Sequence, residues 1–315
     1  MQNFSLLPFF EKYLKPDEPF ILGCSTGADS IFLLSKILET PYRKNLIAAY
    51  FNHHTRCQCE EEAYFLQELG KKEDFIVEIG GYNFSIPQEG PSKSFEEHAR
   101  EKRYDFFHGL KEKYGARKIL LAHHFDDKVE TMIFNMLRGT KLTGLINMKE
   151  VSGDIYRPLL GLQKKEILAY LAENNILYYE DRSNACNDYT RNYIRNELVS
   201  KFENVHPEYH TNIGKLLHYL ESVQGYIMSE VNIFLQEGKS FSLKDYLGLS
   251  ELLQSEVIKE LYYKNNSNST IGLSEGNIAE VQKFLRGKNN KTKKEIHGLG
   301  LNKDGDIISV YQVKK

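Results

Sequence analysis

The sequence predicts an α/β fold, a parallel twisted sheet with helices on both faces, followed by a smaller α+β C-terminal domain. Three observations carry this expectation. Short apolar runs at 20–23, 46–51, 75–79 and 119–122 alternate with longer helical patterns at 29–38, 60–70 and 94–114. Such βαβα alternation requires strands buried on both sides. Small, polar and acidic residues gather at two strand-to-helix turns, 23–30 and 122–131. Past residue 200 the pattern changes to long helical stretches. In a sheet of this kind ligands sit at the carboxyl ends of the strands, so the two turns are where chemistry is expected.

The elements follow in order. The run at 20–23 reads as the first buried strand, and the helix at 29–38 starts directly after its polar turn. Ser94-Phe-Glu-Glu97 has the form of a capping box and places the start of the helix that ends at 114. After the strand at 119–122, a helix beginning near Phe125 would carry Asp127, Glu130 and Thr131 on one face and Val129, Ile133 and Leu137 towards the core. Ile155-Tyr-Arg-Pro-Leu reads as a further strand, and 163–175 as an amphipathic helix. A polar loop at 180–188 follows, then helical spacing resumes. The longest helix is predicted at 212–236, and the C-terminal stretch from Glu295 as a hairpin turning at Asp304-Gly305. With 315 residues the chain exceeds the usual size of a single core. The predicted domains are 1–200 and 201–315.

Composition narrows the class. The chain is 41% hydrophobic and 27% charged, with a net charge of -2, so any nucleic-acid binding must come from local patches. No apolar run reaches the ~18 residues of a membrane span, and the first residues lack signal-peptide order, which reads as cytoplasmic with no membrane partner. The four cysteines form no CxxC pair. Cys57 and Cys59 beside His53 and His54 fall short of a coherent tetrahedral zinc set, and free thiols are the reading preferred.

The first turn, Gly23-Cys-Ser-Thr-Gly-Ala-Asp-Ser30, offers hydroxyl and amide donors at a helix start, where free N–H groups favour an anion such as phosphate. It is neither a Walker A sequence nor GxGxxG. An ordinary N-cap by Ser25 or Thr26 explains it equally well when it is taken alone. The second turn, Ala122-His-His-Phe-Asp-Asp-Lys-Val-Glu-Thr131, puts carboxylates at a helix N-terminus on the same sheet edge, and the reading as site residues outweighs simple dipole stabilisation.

Ser25-Thr-Gly-Ala-Asp-Ser30 resembles the SGGxDS signature of the PP-loop ATP pyrophosphatases, with Thr26 where the signature has its first glycine. The second turn, continuing to Arg138-Gly139 and Gly144-Leu145, resembles the HHxxDDxxET…RG…GL block of tRNA(Ile)-lysidine synthetases. Asn52-His-His-Thr-Arg56, the segment from Ser94 to Phe107 (SxExxARxxRYxFF) and the segments Glu180 to Asn184 and Arg191 to Arg195 (EDxSN…RNxIR) agree in order.

The resemblance implies ATP as the nucleotide, held by Ser25, Thr26, Gly27, Ala28, Asp29, Ser30 and His123, with Asp29 also holding Mg2+. It implies tRNA(Ile) with a CAU anticodon and free L-lysine as partners. ATP adenylylates the wobble cytidine, and the lysine ε-amine then displaces AMP. Asp127 and Glu130 are the candidates to bind and deprotonate lysine, with Arg195 beside them as a third catalytic residue. Arg100, Arg103, Asp126 and Arg191 are the candidate substrate-binding residues, with surface ion pairing the competing explanation for the arginines. The family also implies a homodimer. The C-terminal domain is expected to bind tRNA, through the basic run from Arg286 to Lys294. Two other readings stay open, a PP-loop tRNA thiolase and a non-catalytic ATP- and tRNA-binding protein.

Overall fold

The computed structural model describes residues 5–52, 58–82, 95–146, 148–179, 190–236, 238–266 and 272–313. The chain splits into two compact units, Met1–Ile213 and Gly214–Lys315, the division falling inside the helix Tyr209–Leu235.

The first unit is built on a six-stranded sheet, β1 (Phe20–Gly23), β2 (Leu46–Asn52), β3 (Ile76–Gly81), β4 (Lys118–Leu121), β5 (Val151–Ser152) and β6 (Ile155–Tyr156), in the order β3-β2-β1-β4-β6-β5. All neighbours are parallel except β5, which runs antiparallel to β6. Its helices are α1 (Leu7–Tyr13), α2 (Ala28–Leu38), α3 (Gln58–Glu73), α4 (Phe95–Tyr114), α5 (Phe125–Leu137), α6 (Leu142–Leu145), α7 (Lys164–Glu173), α8 (Thr190–Tyr193), α9 (Ser200–Val205) and the first residues of α10 (Tyr209–Leu235). A π-helical turn, Ile194–Val199, joins α8 to α9. The order reverses between β1 and β4, which opens a crevice at their carboxyl ends.

Strand alternation explains the two cores. Phe20, Leu22 and Leu120 face α2 and α7 and pack with Phe32, Ile167 and Leu171, while Ile21, Ile47, Ile119 and Leu121 face α4 and pack with Phe107 and Leu110. Phe107 is 2% exposed, a burial worth roughly 2–3 kcal/mol. Gly23 ends β1 under this helix. A Cβ there would lie 2.7 Å from Leu121 Cδ2 and 3.0 Å from the Phe107 ring, so a side chain at the start of the first turn would press on both.

Within α5 the expected faces hold for Val129 and Ile133, which join a small cluster with Ile194 and Val199. Leu137 departs from expectation. It is the last residue of the helix and is 65% exposed, because α5 has run past the cluster it packs on by its final turn.

The second unit pairs helices with an antiparallel sheet. Its strands are β7 (Ser240–Ser242), β8 (Lys291–Ile296), β9 (Leu299–Asp304) and β10 (Ile307–Gln312), ordered β7-β10-β9-β8. The helices α11 (Leu243–Gly248), α12 (Glu251–Asn265) and α13 (Glu275–Arg286) cover it through Tyr246, Tyr262, Val281 and Leu285. The β9–β10 hairpin turns through Gly305 at φ 61°. Lys303 is a buried cation with a local purpose. Its Nζ donates to the carbonyls of Leu285 at 3.1 Å and Gly287 at 2.6 Å, satisfying the negative end of α13. In the basic run, Arg286 donates to Gln254 and pairs with Glu251, and Lys294 pairs with Glu280.

Candidate active site

The first turn places a bare helix N-terminus at the crevice. Gly27 is the N-cap of α2, no side chain among the described residues caps it, and Ser25 is exposed beside it. Ser30 is buried, and its hydroxyl donates to the Gly27 carbonyl at 3.0 Å, holding the turn closed. The backbone N–H of Tyr179 donates to the Thr26 carbonyl at 3.0 Å, so the segment after α7 straps the turn in place. An uncapped helix start of this kind suits an anion such as phosphate.

Thr26 adopts φ 60°, the left-handed region that the usual glycine enters freely and a β-branched residue enters at a cost. It is fully buried, and its hydroxyl donates to the Ser25 carbonyl at 2.6 Å, so its proton is committed inside the turn. We predict that Thr26→Gly leaves ATP affinity equal or tighter. The relief of backbone strain and the loss of buried side chain each amount to about 1–2 kcal/mol and oppose one another, so the melting temperature moves little. An ATP titration showing a tenfold loss would instead make the hydroxyl a ligand.

Asp29, in the first turn of α2, faces the crevice and is met by Lys164 Nζ at 2.6 Å. His124 Nε2 lies 3.7 Å from the same carboxylate. No group of three or more His, Cys, Asp or Glu among the described residues forms a metal cage. One half-exposed carboxylate beside a phosphate turn nevertheless suits magnesium, which is commonly held by one or two carboxylates together with substrate phosphates.

The second turn supplies the carboxylates. The backbone N–H of His124 donates to Asp127 Oδ2 at 2.9 Å, closing the start of α5. Asp127 Oδ1 accepts from Arg195 Nη2 at 3.0 Å, and Glu130, 2% exposed, accepts from Arg195 Nε at 2.7 Å and Nη2 at 2.9 Å. One guanidinium therefore clasps two carboxylates, in the two-point geometry that favours arginine over lysine. Burial acts to lower Arg195, but the carboxylates outweigh it and raise it; burial likewise raises Glu130, with Arg195 drawing it back. Arg195 reaches this position from the π-helical turn Ile194–Val199.

Asp126 is spent on architecture. Its Oδ2 accepts the Lys164 backbone N–H at 2.7 Å, and its Oδ1 lies 3.0 Å from His210 Nε2. Burial alone would raise this carboxyl, but contacts from His124, His210 and Lys164 hold it well below the usual carboxylate range.

The two neighbouring histidines behave oppositely. Burial pushes His123 down to about 4, whereas for His124 burial is outweighed by Asp127, Asp126 and Asp29, which raise it. An NMR pH titration is expected to show His123 neutral down to about pH 5, and His124 losing its proton above its ordinary 6.5. The unfolded chain protonates His123 near 6.5 while the folded chain refuses, so this contribution is complete above 6.5 and is lost as pH falls towards 4. His124 contributes below 6.5 and loses that contribution as pH rises through its raised value.

The structure thus brings Asp29, His124, Asp127, Glu130 and Arg195 to one sheet edge. His124, Lys164 and His210 are participants that the sequence reading did not name as site residues; of the histidine pair it named His123. Arg191 lies in α8, with its side chain outside the described residues, as are Ser94, residues 53–57 and the polar loop 180–188. Cys24 and Cys59 are free and buried.

Comparison with known proteins decides the family. A family model described as a PP-loop domain matches residues 3–202. The tRNA(Ile)-lysidine synthase of Petrotoga mobilis is 30% identical over 310 residues, covering 96% of this chain and 93% of that protein. The chain belongs to the tRNA(Ile)-lysidine synthase family. The Bacillus subtilis member is 35% identical over 215 residues, 66% of this chain and 46% of its own length. The Bacteroides thetaiotaomicron member is 34% identical over 214 residues, 68% of this chain and 50% of its own. The chain therefore spans about half the length of these two relatives and nearly all of the Petrotoga one. Among solved structures, a U34-tRNA thiolase from Methanococcus maripaludis with its [4Fe-4S] cluster superposes with a TM-score of 0.54 at 16% identity, over 67% of this chain and 75% of that one. That likeness shows a fold shared with the thiolase and no more. No described helix is long and apolar enough to cross a membrane.

Proposed function

We propose that this chain is a tRNA(Ile)-lysidine synthetase, joining free L-lysine to C2 of the wobble cytidine in the CAU-anticodon isoleucine tRNA. The observation that carries the reading is the Arg195 clasp on Asp127 and Glu130 at the same sheet edge as the uncapped turn.

ATP binds with its pyrophosphate end against the N–H groups of residues 25–30, leaving the α-phosphorus open. The cytidine O2 attacks it, the bond to pyrophosphate breaks, and C2 becomes electrophilic. The lysine ε-amine then adds to C2 and AMP leaves with the O2 atom. Magnesium bound at Asp29 would offset charge on the departing pyrophosphate. Lys164, at 2.6 Å from Asp29, is placed to turn from that carboxylate to a phosphate oxygen.

Lysine arrives as an ammonium with a reference pKa near ~10.4, and must lose a proton to react. Asp127 and Glu130 supply the acceptors. In the absence of substrate their charge is balanced by Arg195, which is 37% exposed at the side chain. An arriving ammonium takes over those carboxylates, and the released guanidinium meets negative charge developing on the nucleotide. Asp126 ties the start of α5 to the Lys164 backbone and to His210.

Nucleoside mass analysis tests this reading. Incubation with ATP, magnesium, lysine and the isoleucine tRNA should convert the wobble cytidine to its lysine adduct, and a methionine tRNA with the same anticodon should remain unmodified. Sulfur in place of lysine at that base would favour the thiolase.

A further inference from the structure

Strand alternation sorts the carboxyl edge of the sheet into two compartments. In β4, Ile119 and Leu121 pack on the α4 side and Leu120 on the α2 side, where Ala122 joins it. Continuing the alternation puts His123 on the α4 side and His124 on the α2 side, in keeping with the approach of His124 to Asp29. In β6, Ile155 packs on the α4 side and Tyr156 on the other, so Arg157 returns to the α4 side. Leu120 pairs with Tyr156 in parallel register, so His123 and Arg157 leave the sheet at the same edge. The helix α4 covers that face, with Arg103 one turn before Phe107 and Arg100 one turn earlier still.

Basic groups dominate this compartment, with Asp127 the carboxylate that acts on His123 at its edge. Arg157 is 8% exposed; its Nη1 donates to the Lys149 carbonyl at 2.9 Å, and its Nε is buried without a partner. The Nε of Arg103 and the Nδ1 of His123 are orphaned in the same way. Among the described residues no carboxylate pairs with Arg100, Arg103 or Arg157; Arg100 rests on the Tyr104 ring at 5.1 Å. Burial lowers both Arg103 and Arg157, and the charge of Arg100 acts on each in the same direction. Buried cations persist where an anion compensates them.

We propose that Arg157, together with Arg100 and Arg103, forms an anion pocket on the α4 side of the sheet edge that takes an RNA phosphodiester next to the reacting cytidine. This rests on the reading of the chain as acting on tRNA. The triphosphate is not the preferred occupant, because the uncapped turn and Asp29 lie on the α2 side of the same edge. Guanidinium forks match phosphate oxygens two at a time, and a base drawn out of its stack needs its neighbouring backbone held.

The experiment compares the full chain with Arg157→Met, which keeps the apolar stem, and Arg157→Lys, which keeps the charge but loses the fork. Isoleucine-tRNA binding is measured across a potassium chloride series, ATP binding separately, with melting curves for each protein. The expected result is tRNA binding weakened about tenfold or more in Arg157→Met, with the slope of log affinity against log salt reduced by about 0.7. Arg157→Lys should keep the slope and lose part of the affinity. ATP affinity should stay within about twofold. A loss of ATP affinity with tRNA binding intact would assign the pocket to the triphosphate and overturn the proposal, as would unchanged tRNA binding in both variants. A wild-type chain that binds tRNA with an Arg157-dependent slope yet forms no lysine adduct would defeat the functional reading and leave the pocket standing.

Discussion

Arg195→Ala should destabilise the first unit and abolish lysine transfer together. The substitution strands Glu130, 2% exposed, as a buried carboxylate without its two-point partner. Removing one member of a buried pair costs 3–5 kcal/mol, and the partial exposure of Arg195 places this case near the lower end, about 3 kcal/mol. For a unit of this size that is a fall of roughly 6–12 °C in melting temperature. The defect should shrink at low pH. Burial already raises the Glu130 carboxyl, and without the guanidinium it rises further; a raised carboxyl favours the folded state when protonated and penalises it as pH climbs past the raised value. Adding Glu130→Gln to Arg195→Ala should recover much of the stability but none of the lysine transfer. A single variant that melts with the wild type would show that the clasp contributes nothing.

Asp127→Asn should separate the two substrates. Its oxygens engage the His124 N–H and Arg195 and, among the described residues, not the turn at 25–30. The KM for lysine is expected to rise about 10- to 100-fold, the range for losing a charge-assisted contact of roughly 1.5–3 kcal/mol, while the Kd for ATP stays within about twofold. Glu130→Gln should show the same split with a larger loss of stability, since Glu130 is the more deeply buried. Equal losses of ATP and lysine affinity would remove the assignment of these carboxylates to lysine.

Much of the frame is legible in the sequence because it rests on local pattern. Strands β1 to β4 lie within two residues of the apolar runs that announce them, and the two polar turns face one crevice because a parallel sheet brings its carboxyl ends together. The unnamed contacts are long-range ones. Lys164 meets Asp29 across 135 residues, and His210 meets Asp126 across 84; neither spacing has a local period to betray it. Arg157 did carry a signal, since Ile155 and Arg157 alternate with Tyr156, but a two-residue strand is too short for period-2 reading. Seven-residue α1 and the edge strand β5 escaped for the same reason. The left-handed Thr26 is opaque because its sequence neighbours are those of an ordinary turn, and only the comparison with a glycine signature hints at it.

The most direct measurement of the central claim is AMP and pyrophosphate release from ATP and magnesium in the presence of CAU-anticodon isoleucine tRNA, with and without free lysine. The account predicts release that needs both the isoleucine tRNA and lysine for turnover, with AMP and pyrophosphate in equal amounts and little release on the methionine tRNA. ATP binding without release under any of these conditions would contradict it and leave a PP-loop protein that grips its nucleotide without using it.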